Sequence, residues 1–400
     1  MVSARAIPFE IDAARGPFPL GMSPEVFLRD YWQKKPLLIR NAFPNFISPL
    51  EPEDLAGLAC EEGTLARLVE YDRANDRWSL RHGPFAEEVF PALPDLDWTV
   101  LVQDVDKWDA DVRALLEHFQ FLPRWRMDDI MISFAATGGS VGAHIDQYDV
   151  FLLQAQGQRR WMIDTDPNPA SDYRNDVDIR LLSTFTPTHD WVLHPGDMLY
   201  LPPGVPHHGV AVDPCLTISV GLRAPSAGEL LSDYADTLTA DAPDTLRYVD
   251  PDLSLPADPC EIDASALARA EAALRQLHMD DPDRFGDWFG SFITTYRCAV
   301  MPAASETAPN QAQLEQALKT GALLLRHPWS RMAWRRDSHG GARLYVGGQS
   351  HSMDIADARH LAAAEGIGSA QYTSLTARGR SAVVELLATG HYQLDSEDLP

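Results

Sequence analysis

The stretch that most constrains this chain runs from 138 to 161, with the sequence GGSVGAHIDQYDVFLLQAQGQRRW. It places an imidazole, His144, two positions before a carboxylate, Asp146. The segment PGDMLYLPPGVPHHGV, at 195–210, offers a third ligand, His207, after a gap of roughly three or four strands with their turns. Two histidines and one carboxylate on one face of an octahedron form the ligand set of a non-haem Fe(II) oxygenase. The spacing therefore predicts such a metal site.

Short apolar runs bounded by turn-forming residues surround these ligands. The runs at 150–153 and 160–163 are rich in β-branched and aromatic residues and predict buried strands. Two further runs, 198–201 and 216–222, lie between turns that contain glycine, proline or aspartate. Many short strands with Gly/Pro turns favour a double-sheet jelly roll of the cupin type, whose barrel mouth can hold one metal.

Two adjacent histidines, His207 and His208, compete for the third ligand position. Neighbouring residues of a strand point to opposite faces, so only one of the two can face the metal. We assign His207 because it directly follows the proline-rich turn. An isolated H-x-D pair is usual in surface loops, and it is the glycine run before the pair and the PGD…PPGxPH segment after it that indicate a metal site.

The motifs resemble those of a known family, the JmjC-type 2-oxoglutarate oxygenases. The resemblance lies in His144-x-Asp146, in the Arg159-x-Trp161 step and in PGDMLYLPPGVPH. More narrowly, the chain resembles the bacterial ribosomal oxygenases, which hydroxylate an arginine of large-subunit ribosomal protein number sixteen. The segments that carry this closer resemblance are YWQKKPLLIRNAF (31–43), DDIMISFAATGGSVGAHIDQYDVF (128–151) and SVGLRAP (219–225).

The resemblance extends from about residue 24 to near the C-terminus and implies a domain organisation. It implies a mixed α and β chain in which a JmjC jelly-roll domain at 1–226 is followed by a helical dimerisation region at 227–300. A winged-helix domain would follow at 301–400, and its first residues, 301–309 (MPAASETAP), form a linker.

The resemblance also implies roles for individual residues. It makes His144, Asp146 and His207 the ligands of Fe(II), and it places Arg159 on the far carboxylate of the cosubstrate 2-oxoglutarate. Guanidinium suits that role because its fixed fork can grip a carboxylate through two hydrogen bonds. Ser133 is a second candidate donor to the cosubstrate, with a strand serine bonded to the backbone as the alternative.

Two residues beside the metal pair are candidate substrate contacts. Tyr148 and Asp149 could hold a substrate arginine by stacking and charge. Core packing is the alternative for Tyr148. His208 departs from the acidic residue that is typical of the family at that position.

Composition narrows the class of protein. A chain of 400 residues predicts two or three domains, and it contains no apolar run long enough to span a bilayer. The four cysteines are far apart and form no C-x-x-C pair, and the N-terminus lacks the apolar core of a signal peptide, which favours reduced thiols in the cytoplasm. The net charge of −25 repels phosphate backbones and anionic membranes and attracts basic partners such as a ribosomal protein. The alternative is that this charge only keeps the protein soluble.

The pattern changes from strands to helices after 225. Segments at 228–240, 263–279 and 282–295 carry apolar residues at helical spacing, and apolar faces left uncovered could pair across a two-fold axis into a homodimer. Arginines 326, 331, 335 and 336 invite a nucleic-acid interpretation. Acids and bases balance in that module, however, so we expect a structural or docking role instead.

The sequence thus predicts an Fe(II)- and 2-oxoglutarate-dependent oxygenase that forms 3-hydroxyarginine in a large-subunit ribosomal protein. One alternative is a JmjC oxygenase that acts on another protein side chain, such as histidine. The other is a non-catalytic cupin that serves as an assembly factor, since fold does not imply function.

Overall fold

The computed structural model describes residues 7–240, 242–255, 258–305 and 307–395. It divides into two compact units, Met1–Ala224 and Pro225–Pro400. The boundaries at 226/227 and 300/301 stay predictions. No helix in the described part of the chain is long and apolar enough to cross a membrane.

The first unit alternates many short strands with a few helices. The first helix begins after Ser23, since the side chain of Ser23 accepts a hydrogen bond from the backbone N–H of Val26 and a proline occupies the first turn. In chain order the elements are β1 (Glu10–Asp12), α1 (Pro24–Asp30), β2 (Leu37–Arg40), α2 (Pro52–Cys60), β3 (Ala66–Asp72), β4 (Arg77–His82), β5 (Trp98–Val102), α3 (Val105–Trp108), α4 (Ala110–Ala114), β6 (Met127–Ala135), β7 (His144–Ile145), β8 (Val150–Gln156), β9 (Arg159–Ile163), β10 (His189–Leu193), β11 (Met198–Leu201), β12 (Pro206–Ala211) and β13 (Cys215–Leu222).

These strands form a large and a small sheet. The large sheet has the order β1-β2-β11-β8-β13-β6-β5-β3-β4, and the small sheet has the order β10-β9-β12-β7. Except for the parallel pair of β1 and β2, the strand pairs of both sheets are antiparallel. The predicted jelly-roll architecture is confirmed.

Apolar side chains cover both faces of the large sheet. One face carries a core that includes Phe27 of α1, Leu55 of α2 and Phe151 of β8. The opposite face meets the small sheet through a second cluster, in which Leu152 packs with Trp161 and other buried side chains. Alternate residues of each strand therefore face the helical core and the interior of the jelly roll.

The second unit contains three helices followed by a mixed α/β module. Its elements are α5 (Ala227–Ala240), α6 (Ala264–Arg275), α7 (Pro282–Thr295), α8 (Gln311–Lys319), β14 (Leu323–Arg326), β15 (Met332–Arg336), β16 (Ala342–Val346), β17 (Gln349–Met353), α9 (Ile355–Ala363), β18 (Gly366–Ile367), α10 (Ser369–Ser374), α11 (Ala377–Ala388) and β19 (Tyr392–Asp395). Its sheets have the orders β18-β14-β19 and β15-β16-β17. The predicted linker contains neither helix nor strand at 301–305 and 307–309, and residue 306 lies outside the described residues.

Three arginines of the predicted basic cluster are engaged within this unit. Arg326 donates to backbone carbonyls at the C-terminal end of α9, and Arg331 donates to the carbonyl of Tyr296. Arg335 forms ion pairs with Asp283 and Asp287 of α7. Guanidinium groups committed in this way hold the fold together and are poorly placed to bind phosphates.

Candidate metal centre

The predicted ligands His144, Asp146 and His207 come together inside the first unit. Strand β7 pairs with β12 so that His144 lies opposite His207. Nε2 of His144 is 3.9 Å from Oδ2 of Asp146, and Nε2 of His207 is 3.7 Å from the same oxygen. One ligand atom from each residue lies within 4.8 Å of the other two, a spacing that one metal ion can bridge.

Backbone carbonyls orient both imidazoles toward this centre. Nδ1 of His144 is 2.9 Å from the carbonyl oxygen of Gly142, and Nδ1 of His207 is 2.9 Å from that of Val205. Each Nδ1–H therefore donates to a carbonyl, which leaves the lone pair on Nε2 for a metal. Burial, together with the neighbouring His144, lowers the pKa of His207 to about 4, so its ring is neutral near pH 7.

The structure separates the two adjacent histidines as strand alternation requires. His207 is buried and faces Asp146, whereas the ring of His208 lies beside that of Phe185. His208 is thus on the other face of β12. The geometry favours His207 as the third ligand.

A buried cation lies on β9, within reach of β6 in the large sheet. Arg159 is 3% exposed, and it meets no carboxylate among the residues that the structure describes. Its Nη1 is 3.4 Å from Oγ of Ser133, its Nη2 is 3.5 Å from the carbonyl oxygen of Gly209, and its Nε has no hydrogen-bond partner there. Burial lowers the pKa of Arg159, which reflects the cost of keeping this cation from water.

This arrangement fits a dicarboxylate cosubstrate. A buried cation without an anionic partner is costly, and a ligand carboxylate would remove that cost. The sequence placed Arg159 and Ser133 together in this role, and the structure brings them within reach of each other.

Trp161 lies beside Arg159, and the sequence indicated no role of its own for it. It is 5% exposed, its indole N–H has no partner among the described residues, and its ring centroid is 5.1 Å from Cζ of Arg159. Opposite it on β12 is Gly209. A β-carbon at Gly209 would lie 2.8 Å from both Nε of Arg159 and the ring of Trp161, so this position must be glycine for both side chains to keep their places.

Asp149 does not fit the predicted substrate contact. Its side chain is fully buried, and its carboxylate accepts hydrogen bonds from the hydroxyl of Tyr200, the amide of Gln33 and the guanidinium of Arg126 at 2.7, 2.9 and 3.1 Å. A carboxylate that is fully buried and already paired with a guanidinium is not available to a substrate arginine. We therefore withdraw Asp149 and assign it to the fold.

Tyr148 remains at the site. It is 37% exposed, and its hydroxyl interacts with the carboxylate of the candidate ligand Asp146. Burial and then the charge of Asp146 raise the pKa of Tyr148, so the phenol stays protonated and can donate.

A second carboxylate near Tyr148, that of Asp129, was not predicted from the sequence, and its Oδ2 accepts a hydrogen bond from the backbone N–H of Asp104 at 3.1 Å. It lies four positions before Ser133 on β6, and its charge contributes to the raised pKa of Tyr148 after burial and the charge of Asp146. Burial, with the charge of Asp104 next in importance, raises the pKa of Asp129 to about 7. The alternation of Asp129 with Ser133 along one strand was the available signal.

Comparison with known families supports both units. The JmjC domain family matches residues 114–230, and the ROXA-like winged-helix family matches residues 276–393. The AraC-like ligand-binding domain family matches residues 184–287 and overlaps both.

Curated relatives are similar over most of the chain. The ribosomal protein uL16 3-hydroxylase of Escherichia coli is 38% identical over 300 residues, which cover 75% of this chain and 79% of the relative. A probable ribosomal oxygenase of Haemophilus influenzae is 40% identical over 289 residues, which cover 72% and 70%.

Solved structures agree with the fold. The crystal structure of E. coli YcfD has a TM-score of 0.84 and 32% identity, and the match covers 94% of this chain and 99% of that one. The structure of the same ribosomal oxygenase with cobalt and 2-oxoglutarate has a TM-score of 0.81 at the same identity and covers 95% and 100%.

Proposed function

Because this chain belongs to the ribosomal oxygenases of the JmjC type, we propose that it is an Fe(II)- and 2-oxoglutarate-dependent oxygenase that hydroxylates an arginine side chain of ribosomal protein uL16. The product is 3-hydroxyarginine. The observation that carries this proposal is a metal-binding triad and an unpaired buried arginine inside one jelly roll.

Different residues would bind the metal, the cosubstrate and the substrate. His144, Asp146 and His207 would hold Fe(II) on one face, while Arg159 and Ser133 would anchor the far carboxylate of 2-oxoglutarate. When bound, Fe(II) and 2-oxoglutarate with O₂ supply the oxidation that yields succinate, CO₂ and a hydroxylated C–H position. Trp161 and the apolar side chains that pack with it would keep water from the cosubstrate carboxylate.

Asp129 and Tyr148 are the residues best placed to receive the substrate arginine. The carboxylate can accept from a guanidinium, and the partly exposed phenol ring can pack against its plane. A charged acceptor at this place favours a cationic side chain over histidine, which is neutral near pH 7. The triad and Arg159 together disfavour a non-catalytic cupin, because such a protein has no need of an unpaired buried cation.

A basic ribosomal protein complements the charge of −25 on this chain. Electrostatic attraction of this kind steers the encounter between partners and falls with ionic strength. We propose that the encounter occurs in the cytoplasm, where ribosomal proteins are made. The same negative charge and the engaged arginines of the second unit disfavour nucleic acid as a partner.

The proposal is tested by intact mass of purified uL16 after incubation with the enzyme, Fe(II) and O₂, with and without 2-oxoglutarate. We expect a gain of one oxygen that requires 2-oxoglutarate, and fragmentation should place it on one arginine. Oxygen on histidine would favour the alternative substrate class. Consumption of 2-oxoglutarate without a mass gain would refute the substrate assignment alone.

Asp129→Asn is expected to weaken binding of an arginine-containing uL16 peptide by about 10- to 100-fold, since a hydrogen bond to a charged group contributes roughly 1.5–3 kcal/mol. A carboxylate with a pKa of about 7 is neutral below that pH and cannot then pair with guanidinium. Peptide affinity of the wild-type enzyme should therefore rise as pH increases through about 7.

The measurement is fluorescence anisotropy of the peptide on anaerobic enzyme loaded with Co(II) and 2-oxoglutarate. Asp128→Asn is the matched control, because this neighbouring carboxylate pairs with Arg223. The control should keep a pH dependence, with its midpoint moved to lower pH because the charge of Asp128 contributes to the raised pKa of Asp129, and Asp129→Asn should lose it. A persistent pH dependence in Asp129→Asn would remove Asp129 from the substrate site.

We also propose that the chain forms a homodimer through α5 and α6. Helix α6 has no buried residue in the described chain, and Leu267 and Leu274 on it are 62% and 60% exposed. Leu231 of α5 is 59% exposed. An apolar set of this kind on short helices marks an interaction surface.

The double substitution Leu267→Asp with Leu274→Asp is expected to give a monomer, because a charge at each position would be buried without a partner in the dimer. Light scattering after size exclusion measures the mass. Leu323→Asp with Leu325→Asp is the control, since these leucines of β14 are 45% and 40% exposed but lie outside α5 and α6. Dimers from both variants would place the interface elsewhere.

A further inference from the structure

The loop between β6 and β7 is fastened to β12 at three successive places. At its start, the N–H of Gly138 donates to the carbonyl of Ala211 at 2.9 Å, and the N–H of Ala211 donates to the carbonyl of Gly139 at 3.0 Å. At its end, His144 lies opposite His207 in the β7–β12 ladder. Between these backbone pairs, the carbonyl of Gly209 faces the loop.

The hydroxyl of Ser140 satisfies that carbonyl. Ser140 is 4% exposed, and its Oγ donates to the carbonyl oxygen of Gly209 at 2.7 Å. The same Oγ accepts from the N–H of Gly142 at 3.0 Å. The hydroxyl therefore uses its donor and one acceptor site to join the loop to the strand that carries His207.

The hydrogen bond between Ser140 and Gly142 affects the position of the candidate metal ligand His144. The carbonyl of Gly142 is the group to which Nδ1 of His144 donates, so the position of Gly142 sets the orientation of that imidazole. Gly142 itself has a φ of +80°, a left-handed conformation in which a side chain would be strained and would also strike Leu181. The loop thus has a defined shape at Gly142 that the Ser140 hydroxyl can hold.

We propose that Ser140 is a positioning residue for the metal site, because its hydroxyl fixes the Gly142 carbonyl that orients His144 relative to His207. Removing the hydroxyl leaves the buried N–H of Gly142 without its acceptor, and it leaves the carbonyl of Gly209 only the long 3.5 Å contact with Nη2 of Arg159. The chain relieves that cost by moving the loop, and His144 moves with it. The inference rests on the metal site of the proposed function and adds a residue to it.

Ser140→Thr and Ser140→Val form a matched pair, because the two new side chains have the same shape and only threonine keeps the hydroxyl. Ser140 lines a cavity of about 300 Å³, and both variants add the same bulk at this position. We expect Ser140→Val to bind Co(II) about 10-fold more weakly than Ser140→Thr, a typical loss for a residue that orients a metal ligand through its outer contacts. The Ser140→Thr variant should bind Co(II) like the wild-type chain.

The readouts are a Co(II) titration followed by visible absorption and the melting temperature of the metal-free protein. Thr99→Val is the control, since Thr99 is a fully buried residue of β5 whose hydroxyl has no partner among the described residues. It should leave Co(II) affinity and the Co(II) absorption bands unchanged, whereas Ser140→Val should change both.

Equal Co(II) affinity in the two Ser140 variants would overturn the proposal. A melting temperature lowered by Ser140→Val with unchanged Co(II) affinity would also overturn it, because the role would then be structural. If the wild-type chain itself fails to bind Co(II), the metal site of the proposed function is wrong and the inference falls with it.

Discussion

His207→Ala is expected to lose metal binding and with it all hydroxylation of uL16. The triad would supply three ligands to the metal, and the substitution removes one of its two imidazoles. We expect the Co(II) affinity to fall by at least about 100-fold, the upper part of the range for changes around a metal site. The measurements are the Co(II) titration and the mass of uL16 after reaction.

The adjacent histidine provides the control for this prediction. His208→Ala removes the same chemical group one position along β12, from the face that contacts Phe185 instead of Asp146. It should keep Co(II) binding and hydroxylation. Loss of both functions in His208→Ala with retention in His207→Ala would mean that the strand register at the site is wrong.

Acid is expected to destabilise the metal-free protein through protonation of His207. The pKa of His207 is lowered to about 4 in the folded state, below the value near 6.5 of an unfolded chain. The stability associated with the neutral ring is therefore fully present above about pH 6.5 and is lost as the pH falls toward 4. His207→Ala removes this part of the acid sensitivity.

The sequence predicted the metal ligands because their signals are local. His144 and Asp146 are two positions apart beside glycines, and His207 directly follows a proline-rich turn. The strands that carry them are apolar runs with clear boundaries, so the jelly roll also followed from the pattern. The resemblance to a family then added Arg159 and Ser133. These residues lie on different sheets, so no local sequence pattern indicates that they are in contact.

The sequence did not predict the roles of residues whose partners lie far away along the chain. Asp149 resembled a substrate contact because it is close to the triad in sequence, but Gln33, Arg126 and Tyr200 satisfy its carboxylate from three other parts of the chain. Ser140 bonds to a residue 69 positions away. Such contacts are set by strand register, which hydrophobic pattern fixes only after the sheets have formed.

Contacts between residues distant in sequence also explain why the sequence did not predict parts of the second unit. The arginines at 326, 331 and 335 formed a basic cluster in sequence, yet each is committed to carbonyls or carboxylates of other elements. Strands β15 and β17 were not predicted, since one carries arginines and the other serines and a histidine where the pattern expects apolar residues. Clusters of like charge in sequence are therefore weak evidence for a ligand surface when the folded chain offers internal acceptors.

Arg159→Met is expected to abolish 2-oxoglutarate binding at working concentrations while leaving the fold intact. Truncating one partner of a buried charge pair costs about 2–5 kcal/mol, which corresponds to roughly 30- to 5,000-fold in affinity. In the absence of cosubstrate, however, Arg159 is a buried cation without a carboxylate among the described residues. Methionine of similar length removes that cost, so the melting temperature of the ligand-free variant should equal or exceed that of the wild-type protein.

The melting temperature separates two roles of Arg159. If the guanidinium supports the fold, Arg159→Met melts lower without ligand. If the guanidinium binds the cosubstrate, the variant loses the rise in melting temperature that 2-oxoglutarate causes. The measurement is the melting temperature with Co(II) bound, before and after addition of 2-oxoglutarate, because a ligand that binds the folded state raises it. Arg160→Met is the control, since Arg160 lies on the other face of β9 and pairs with exposed Asp190. The control should keep the shift induced by 2-oxoglutarate and Arg159→Met should lose it. An Arg159→Met protein that melts lower than the wild type without ligand, yet keeps the full shift, would show that the guanidinium supports the fold and that the cosubstrate carboxylate is bound by other groups.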